Sequence, residues 1–170
     1  YSISKLYAYW ITKYYRDAYN IFACNGILFN HESPRRGETF ITRKITIGLS
    51  KILNGKQNFL EVGNLNSLRD WGHAREYAEM QWLMLQNKKP DDFVISTGKQ
   101  YSIRDFINIC LKKLKIDVVW SGKGLKETAI VKNFKNKKYK IKNNQKIIKV
   151  NKKYFRPTEV SNLLGDSKKA

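Results

Sequence analysis

Four short apolar runs alternate with four segments of helical period along this chain, and that alternation restricts the fold more than any other feature. The runs are "NIFACNGILF" (20–29), "NFLEVG" (58–63), "DDFVISTG" (91–98) and "IDVVWSG" (116–122). Each is too short for a helix and is bounded by Asn, Gly or Asp, so each reads as a short, mostly buried strand. The segments around them read differently. In 2–19, Leu6, Trp10 and Tyr14, and Ile3, Tyr7 and Ile11, recur at helical spacing, which predicts a mostly buried helix. In 39–55, apolar residues at 41, 45, 49, 52 and 53 precede Asn54-Gly55, a helix stop. In 73–87, Tyr77, Met80 and Met84, with Trp82 and Leu83, are assigned to an inner face. In 102–115, Ser102 and Asp105 form a capping box ahead of Ile103, Phe106, Ile107, Cys110, Leu111 and Leu114.

Helices alternating with buried strands predict an α/β layered fold with a mainly parallel sheet. After residue 125 the pattern changes. "LKETAIV" and "QKIIKV" read as alternating strands around a Lys/Asn-rich connection, and "RPTEVSNLLGD" as a short helix capped by Thr158 after Pro157. Residues 30–38 and 64–72 read as loops.

The formal charge of +19 suggests a polyanion partner until its distribution is considered. Residues 1–111 carry 15 Lys and Arg against 10 Asp and Glu, whereas 112–170 carry 18 against 4. The excess is nearly all Lys interleaved with Asn, in a stretch where only Tyr139 and Tyr154 could stack on bases. A solvated Lys/Asn surface accounts for it better than a nucleic-acid-binding module, which stays as the alternative from a different class. Cys24 and Cys110 stand far apart in apolar runs, as two free thiols of a reducing, cytoplasmic compartment would. No metal-ligand spacing is present. No apolar stretch reaches the roughly 18 residues that a membrane span needs. The chain opens on Tyr1 rather than Met, so it is expected to be part of a longer protein.

Two short stretches carry chemistry. "YSISK" sets Tyr1 four residues before Lys5, on one helix face. An ammonium beside a phenol stabilises phenolate, and a phenolate can act as general base toward a hydroxyl. The spacing alone is weakly specific, because Tyr9 and Lys13 repeat it. The first pair differs in its small intervening Ser2 and Ser4, whereas Tyr9 is followed by bulky Trp10. The second stretch, "NHESPRRG" (30–37), places an Asn, a His and two Arg at the carboxyl end of a predicted strand, where open α/β sheets bind ligands.

The order of "KLYAYWIT", "ACNGILFNHESPRRGETFITRKI", "SLRDWGHAREY", "MQWLMLQ" and "YFRPTEV" resembles the GDP-mannose 4,6-dehydratase family of the extended short-chain dehydrogenase/reductases, along nearly the whole chain and least over 126–153. The resemblance implies dehydration of GDP-mannose to a 4-keto-6-deoxy sugar with bound NADP. It implies Tyr1 as catalytic base and Lys5 as its support and a contact of the nicotinamide ribose. It implies His31 and Arg36 as cofactor contacts, and Asn30, Lys44, Gly63, Arg69, Arg156 and Glu159 as contacts of the nucleotide sugar. It further implies a homo-oligomer in the cytoplasm. Residues 1–30 would end the cofactor domain, and 31–170 would be mostly substrate-binding, with 72–98 returning to the cofactor domain.

No glycine-rich dinucleotide fingerprint occurs in these 170 residues. The expectation is therefore the later part of a Rossmann-like sheet plus a small α/β substrate-binding region, with the amino-terminal nucleotide-binding half elsewhere and no activity from this portion alone. Another sugar-nucleotide epimerase or dehydratase of the same superfamily is the nearest alternative; "NHESPRRG" favours the dehydratase.

Overall fold

The computed structural model of the chain describes residues 1–155 and 158–170. In chain order its elements are α1 (Ser2–Tyr19), β1 (Asn25–Leu28), β2 (Asn30–Glu32), α2 (Ile41–Leu53), β3 (Leu60–Val62), β4 (Leu68–His73), α3 (Ala74–Met84), β5 (Asp92–Ile95), β6 (Gln100–Ser102), α4 (Ile103–Lys113), β7 (Asp117–Ser121), β8 (Thr128–Asn133) and β9 (Lys146–Val150). The fold is α/β. The chain divides into one unit of Tyr1–Ser33, Asp70–Gln100 and Leu164–Ala170, and another of Pro34–Arg69 and Tyr101–Leu163.

In the first unit, β1 pairs parallel with β5, from Asn25 opposite Asp92 to Leu28 opposite Ile95. β2 pairs parallel with β4, with His31 opposite Gly72. Tyr77 and Met84 of α3 pack on Phe93 and Ile95 of β5, joined by Cys24, Leu28 and Met80. Trp82 and Leu83 do not belong to this face: they are exposed, because they lie five and six residues past Tyr77 and so off its helical stripe.

Three further expectations are corrected in this unit. α1 forms as predicted and ends on Asn20 in the left-handed conformation, but none of its residues is buried. A helix of 18 residues is about 27 Å long, and the neighbouring β1–β5 ladder is only four residues deep. The helix is fastened instead by its polar side, through Arg16 to Asp92 and to the Ala23 carbonyl. Strand β1 is shorter than its apolar run, and its central Gly26 and Ile27 are exposed. Finally, Asn30–Glu32 and Leu68–His73 are strands rather than loops. They satisfy each other's backbone groups, and a ladder needs no apolar alternation to do so.

In the second unit β3, β9, β8 and β7 are neighbours in that order. β3 runs parallel to β9, while β8 is antiparallel to both β7 and β9. This sheet is mixed, whereas the parallel pairing expected of the Rossmann-like part is seen at β1–β5 and β2–β4; the connections after β7 and β8 are short and irregular and reverse the chain. A register shift at Ala129/Ile130 leaves Ile147 as an extra residue on β9, so Ile147 and Ile148 are both fully buried. They join Ile45, Leu49 and Ile52 of α2 and Ile107 and Leu111 of α4 among the most buried side chains. The capping box at α4 forms in both directions: Ser102 Oγ accepts the Asp105 N–H at 3.0 Å, and Asp105 Oδ2 accepts the Ser102 N–H at 2.9 Å. α2 stops at Asn54, and Gly55 takes a φ of +68°.

The short helix expected after Pro157 is absent from the described residues 158–163. The segment is tied down in another way: the Leu68 N–H donates to the Ser161 carbonyl at 2.9 Å, and Glu159 turns to Ser67 and Arg69. Both cysteines are free and half-buried. No helix among the described residues is long and apolar enough to cross a membrane.

Candidate functional site

The two Tyr-x-x-x-Lys pairs of α1 meet different surroundings. Tyr1 is the N-cap position, and its carbonyl accepts the Lys5 N–H at 3.0 Å. The Lys5 Nζ lies 5.7 Å from the Tyr1 ring centroid, and the phenol is 93% exposed. Four residues is one helical turn, which is why the two side chains share a face. Tyr9 is engaged elsewhere. The Asp92 carboxylate nearby holds its phenol above the ordinary value, disfavouring phenolate. Lys13 sets its ammonium over Trp10, at 5.4 Å, rather than over Tyr9. Of the two pairs, the first sets its ammonium beside its own phenol, and the second does not.

Asn30 and His31 lie on β2 and are half-buried. The His31 Nδ1 is 2.9 Å from the Phe29 carbonyl. A carbonyl can only accept, so Nδ1 carries the proton, and Nε2 faces other partners. The imidazole stacks on Tyr77, with centroids 4.9 Å apart and planes 28° off parallel. Burial, then Asp70 and Glu76, pushes the Tyr77 phenol up to about 12, so this ring is a neutral platform. Beneath it Gly72 is required, since a Cβ there would run into the Tyr77 ring. Asp70 is wholly buried and accepts from the Thr97 N–H, the Thr97 hydroxyl and the Gly98 N–H at 2.9, 2.6 and 2.9 Å. It is spent on that turn and not on Arg69, although the two are adjacent in sequence.

In the second unit, Arg36 lies over the Phe40 ring at 3.7 Å. Lys44, one turn into α2, sets its ammonium 3.3 Å from the centroid of Tyr154. Burial depresses the Lys44 ammonium below its ordinary value; nearby Glu61 opposes that and Lys153 adds to it. Gly63 abuts the carbonyl of Tyr154, and a Cβ would collide with it. The close approach that Gly63 permits here is to the chain's own backbone. Arg69 pairs with Glu159 at 3.5 Å and donates to the Leu68 carbonyl at 2.7 Å. Ser67 donates to the same Glu159 oxygen at 2.7 Å. Arg156 lies outside the described residues.

The predicted residues therefore gather as Tyr1 with Lys5, Asn30 with His31, Lys44 with Gly63, and Arg69 with Glu159. The rings that support two of them, Tyr77 and Tyr154, were not singled out for these roles from sequence. Each is one aromatic among many in the chain. Only the Gly72 and Gly63 positions, which demand a close neighbour, hint at them.

A family model described as GDP-mannose 4,6 dehydratase matches residues 1–170. The GDP-mannose 4,6-dehydratase of Vibrio cholerae serotype O1 is 56% identical over 167 residues, covering 98% of this chain and 45% of that protein. The Homo sapiens GDP-mannose 4,6 dehydratase is 48% identical over 171 residues, covering 100% and 43%. The chain spans less than half the length of the curated relatives it matches. Among solved structures, RMD from Pseudomonas aeruginosa complexed with NADPH superposes with a TM-score of 0.65 at 20% identity, covering 69% of this chain and 41% of that one. UDP-glucose 4-epimerase from Thermotoga maritima with UDP-glucose gives 0.67 at 14% identity, covering 99% and 45%. At these identities the likeness is one of fold.

Proposed function

Because the chain belongs to the GDP-mannose 4,6-dehydratase family, we propose that it forms part of an enzyme that removes water from GDP-D-mannose to leave GDP-4-dehydro-6-deoxy-D-mannose. The observation that carries this reading is the Tyr1–Lys5 pair, exposed and facing one way on α1 while its repeat at Tyr9 and Lys13 is engaged with Asp92 and Trp10.

The cofactor is NADP, which when bound supplies a hydride acceptor that gives the hydride back, so none is consumed. The donor set suits such a group. Lys5 offers an ammonium for ribose hydroxyls, His31 a ring nitrogen not claimed by the backbone, and Arg36 a guanidinium for phosphate. Tyr1, as phenolate, takes the proton of the carbon-4 hydroxyl, and the Lys5 ammonium stabilises the phenolate that does so. The remaining residues bind rather than react. Asn30, Lys44 and Arg69, with Arg156, neutralise and hydrogen-bond the diphosphate. Glu159 accepts from a ribose diol with the oxygen that Ser67 and Arg69 leave open. Gly63 keeps the backbone narrow beside these groups.

The same resemblance carries the wider proposals. Residues 1–30 end the cofactor domain, 31–170 are mostly substrate-binding, and 72–98 return to the cofactor domain. The enzyme works as a homo-oligomer in the cytoplasm, and this 170-residue portion is inactive alone. The test is to express the product of the complete reading frame and follow GDP-mannose by chromatography, with detection of a 4-keto sugar. Formation of that product by the complete protein, and none by the isolated chain, is expected. Failure of the complete protein to consume GDP-mannose with NADP present would overturn the reading.

A further inference from the structure

We propose that Tyr154 is a positioning residue for the substrate diphosphate, holding the Lys44 ammonium against its ring so that the charge is fixed in place without being neutralised. The inference rests on the reading of Lys44 as a diphosphate contact. Tyr154 stands in the short 3-10 turn Lys152–Tyr154, opened by Asn151, whose side chain accepts the Lys153 N–H. The backbone of that turn is pressed against Gly63, through the Tyr154 carbonyl, and the Asn151 N–H donates to the Val62 carbonyl at 2.9 Å. The ring is thus anchored from behind by β3. Lys44 meets it at 3.3 Å and Lys153 at 5.3 Å. Both ammonium groups lie within cation–π range of the ring, Lys44 much the closer.

The choice of partner matters. An ammonium can be held by a carboxylate or by an aromatic face. A carboxylate cancels the charge; a ring carries no net charge and leaves the positive potential available to an incoming anion. The acid whose charge reaches Lys44 is Glu61, and it accepts from Asn151, whose Nδ2 donates to Glu61 Oε1 at 2.9 Å. Among the described residues Lys44 forms no ion pair. A partly desolvated, uncancelled ammonium held by a ring is preorganised for a diphosphate, and the ordering of a four-carbon side chain is already complete before the ligand arrives.

The test is a double-mutant cycle in the complete protein, with KM and kcat for GDP-mannose measured for Lys44→Ala, Tyr154→Leu and the double variant, and Tyr154→Phe as the variant that keeps the ring. Tyr154→Leu is expected to raise KM about fourfold, the size of a cation–π contact at a partly exposed ring, with little change in kcat. Tyr154→Phe should stay near the parent. In the Lys44→Ala background, Tyr154→Leu should add less than about twofold, because the interaction it acts through is already gone. An equal rise in KM in both backgrounds, or no rise from Tyr154→Leu while Lys44→Ala raises KM, overturns the role of the ring alone. An unchanged KM in Lys44→Ala overturns the reading of Lys44 and this inference with it.

Discussion

Arg16 closes on Asp92 with both guanidinium nitrogens, Nη1 to Oδ1 at 2.7 Å and Nη2 to Oδ2 at 3.2 Å, joining the fourth turn of α1 to the first residue of β5. Asn25 adds two donors to the same carboxylate, from its backbone and its amide. Together they hold Asp92 at about 2, against an ordinary value of 3.8, with Arg16 the largest cause. A carboxyl whose folded value is depressed stabilises the fold above its unfolded value, and that stability is lost as the pH falls through the folded one. The Asp92 contribution, about 2 kcal/mol, should therefore be whole above pH 4 and fade between pH 4 and 2. Denaturation of the complete protein at pH 5, 3 and 2 should show a drop that is shallower in Asp92→Asn, which is itself less stable at pH 5.

Tyr1 and Tyr9 share a local motif and should part company in a rate measurement. Tyr1→Phe removes the proposed base, and turnover of GDP-mannose should fall by at least about 100-fold, the usual size of a positioned acid–base contribution. Binding of GDP-mannose, followed calorimetrically, should be nearly unchanged. Tyr9→Phe should leave turnover intact, since the Asp92 carboxylate disfavours the Tyr9 phenolate. Equal losses from the two substitutions would remove Tyr1 from its role.

Glu159→Gln tests the ribose-diol assignment. The carboxylate already accepts from Ser67 and Arg69, so an amide of the same shape keeps the position but loses one charge-assisted acceptor. KM for GDP-mannose should rise about tenfold, with kcat within about threefold. A kcat loss with unchanged KM would point away from substrate binding.

The α4 cap is a stability test independent of any ligand. Ser102→Ala leaves the Asp105 N–H without its acceptor and should cost about 1 kcal/mol. Asp105→Ala should cost a similar amount, and the double variant should fall short of the sum, because each residue needs the other to complete the box. Additive losses in urea titrations would show the two bonds to be independent.

Helices α2 and α4 were legible because their apolar spacing, caps and stops all agree, and Ile45, Leu49, Ile107 and Leu111 are inside as their period requires. Strands β2 and β4 were not, because their residues are polar and pair through backbone groups that carry no side-chain signature. α1 misled in a different way. Its aromatic stripe has the right period for a core helix, but periodicity reports which residues share a face and not what lies against it. In the candidate site the chemistry-bearing residues could be named from sequence, yet their partners could not. Arg69 is adjacent to Asp70 and pairs with Glu159; Tyr9 is four residues from Lys13, yet its phenol answers to the Asp92 carboxylate. Long-range pairing decided each case, and a single sequence does not contain it.

The first unit is assembled from three separate stretches of chain, the last of them Leu164–Ala170. That final stretch is fastened by Lys169, whose Nζ reaches Asp91 Oδ1 at 2.6 Å and the Asp92 carbonyl at 3.0 Å, and by Gly165, packed on Ser96 and Phe29. On the ribosome, α1 and β1 must therefore wait for more than a hundred further residues before their unit can close. Strands made early would stay open to wrong pairings during that interval. The order in which the chain emerges, and not only the strength of its contacts, then bears on the yield of folded material.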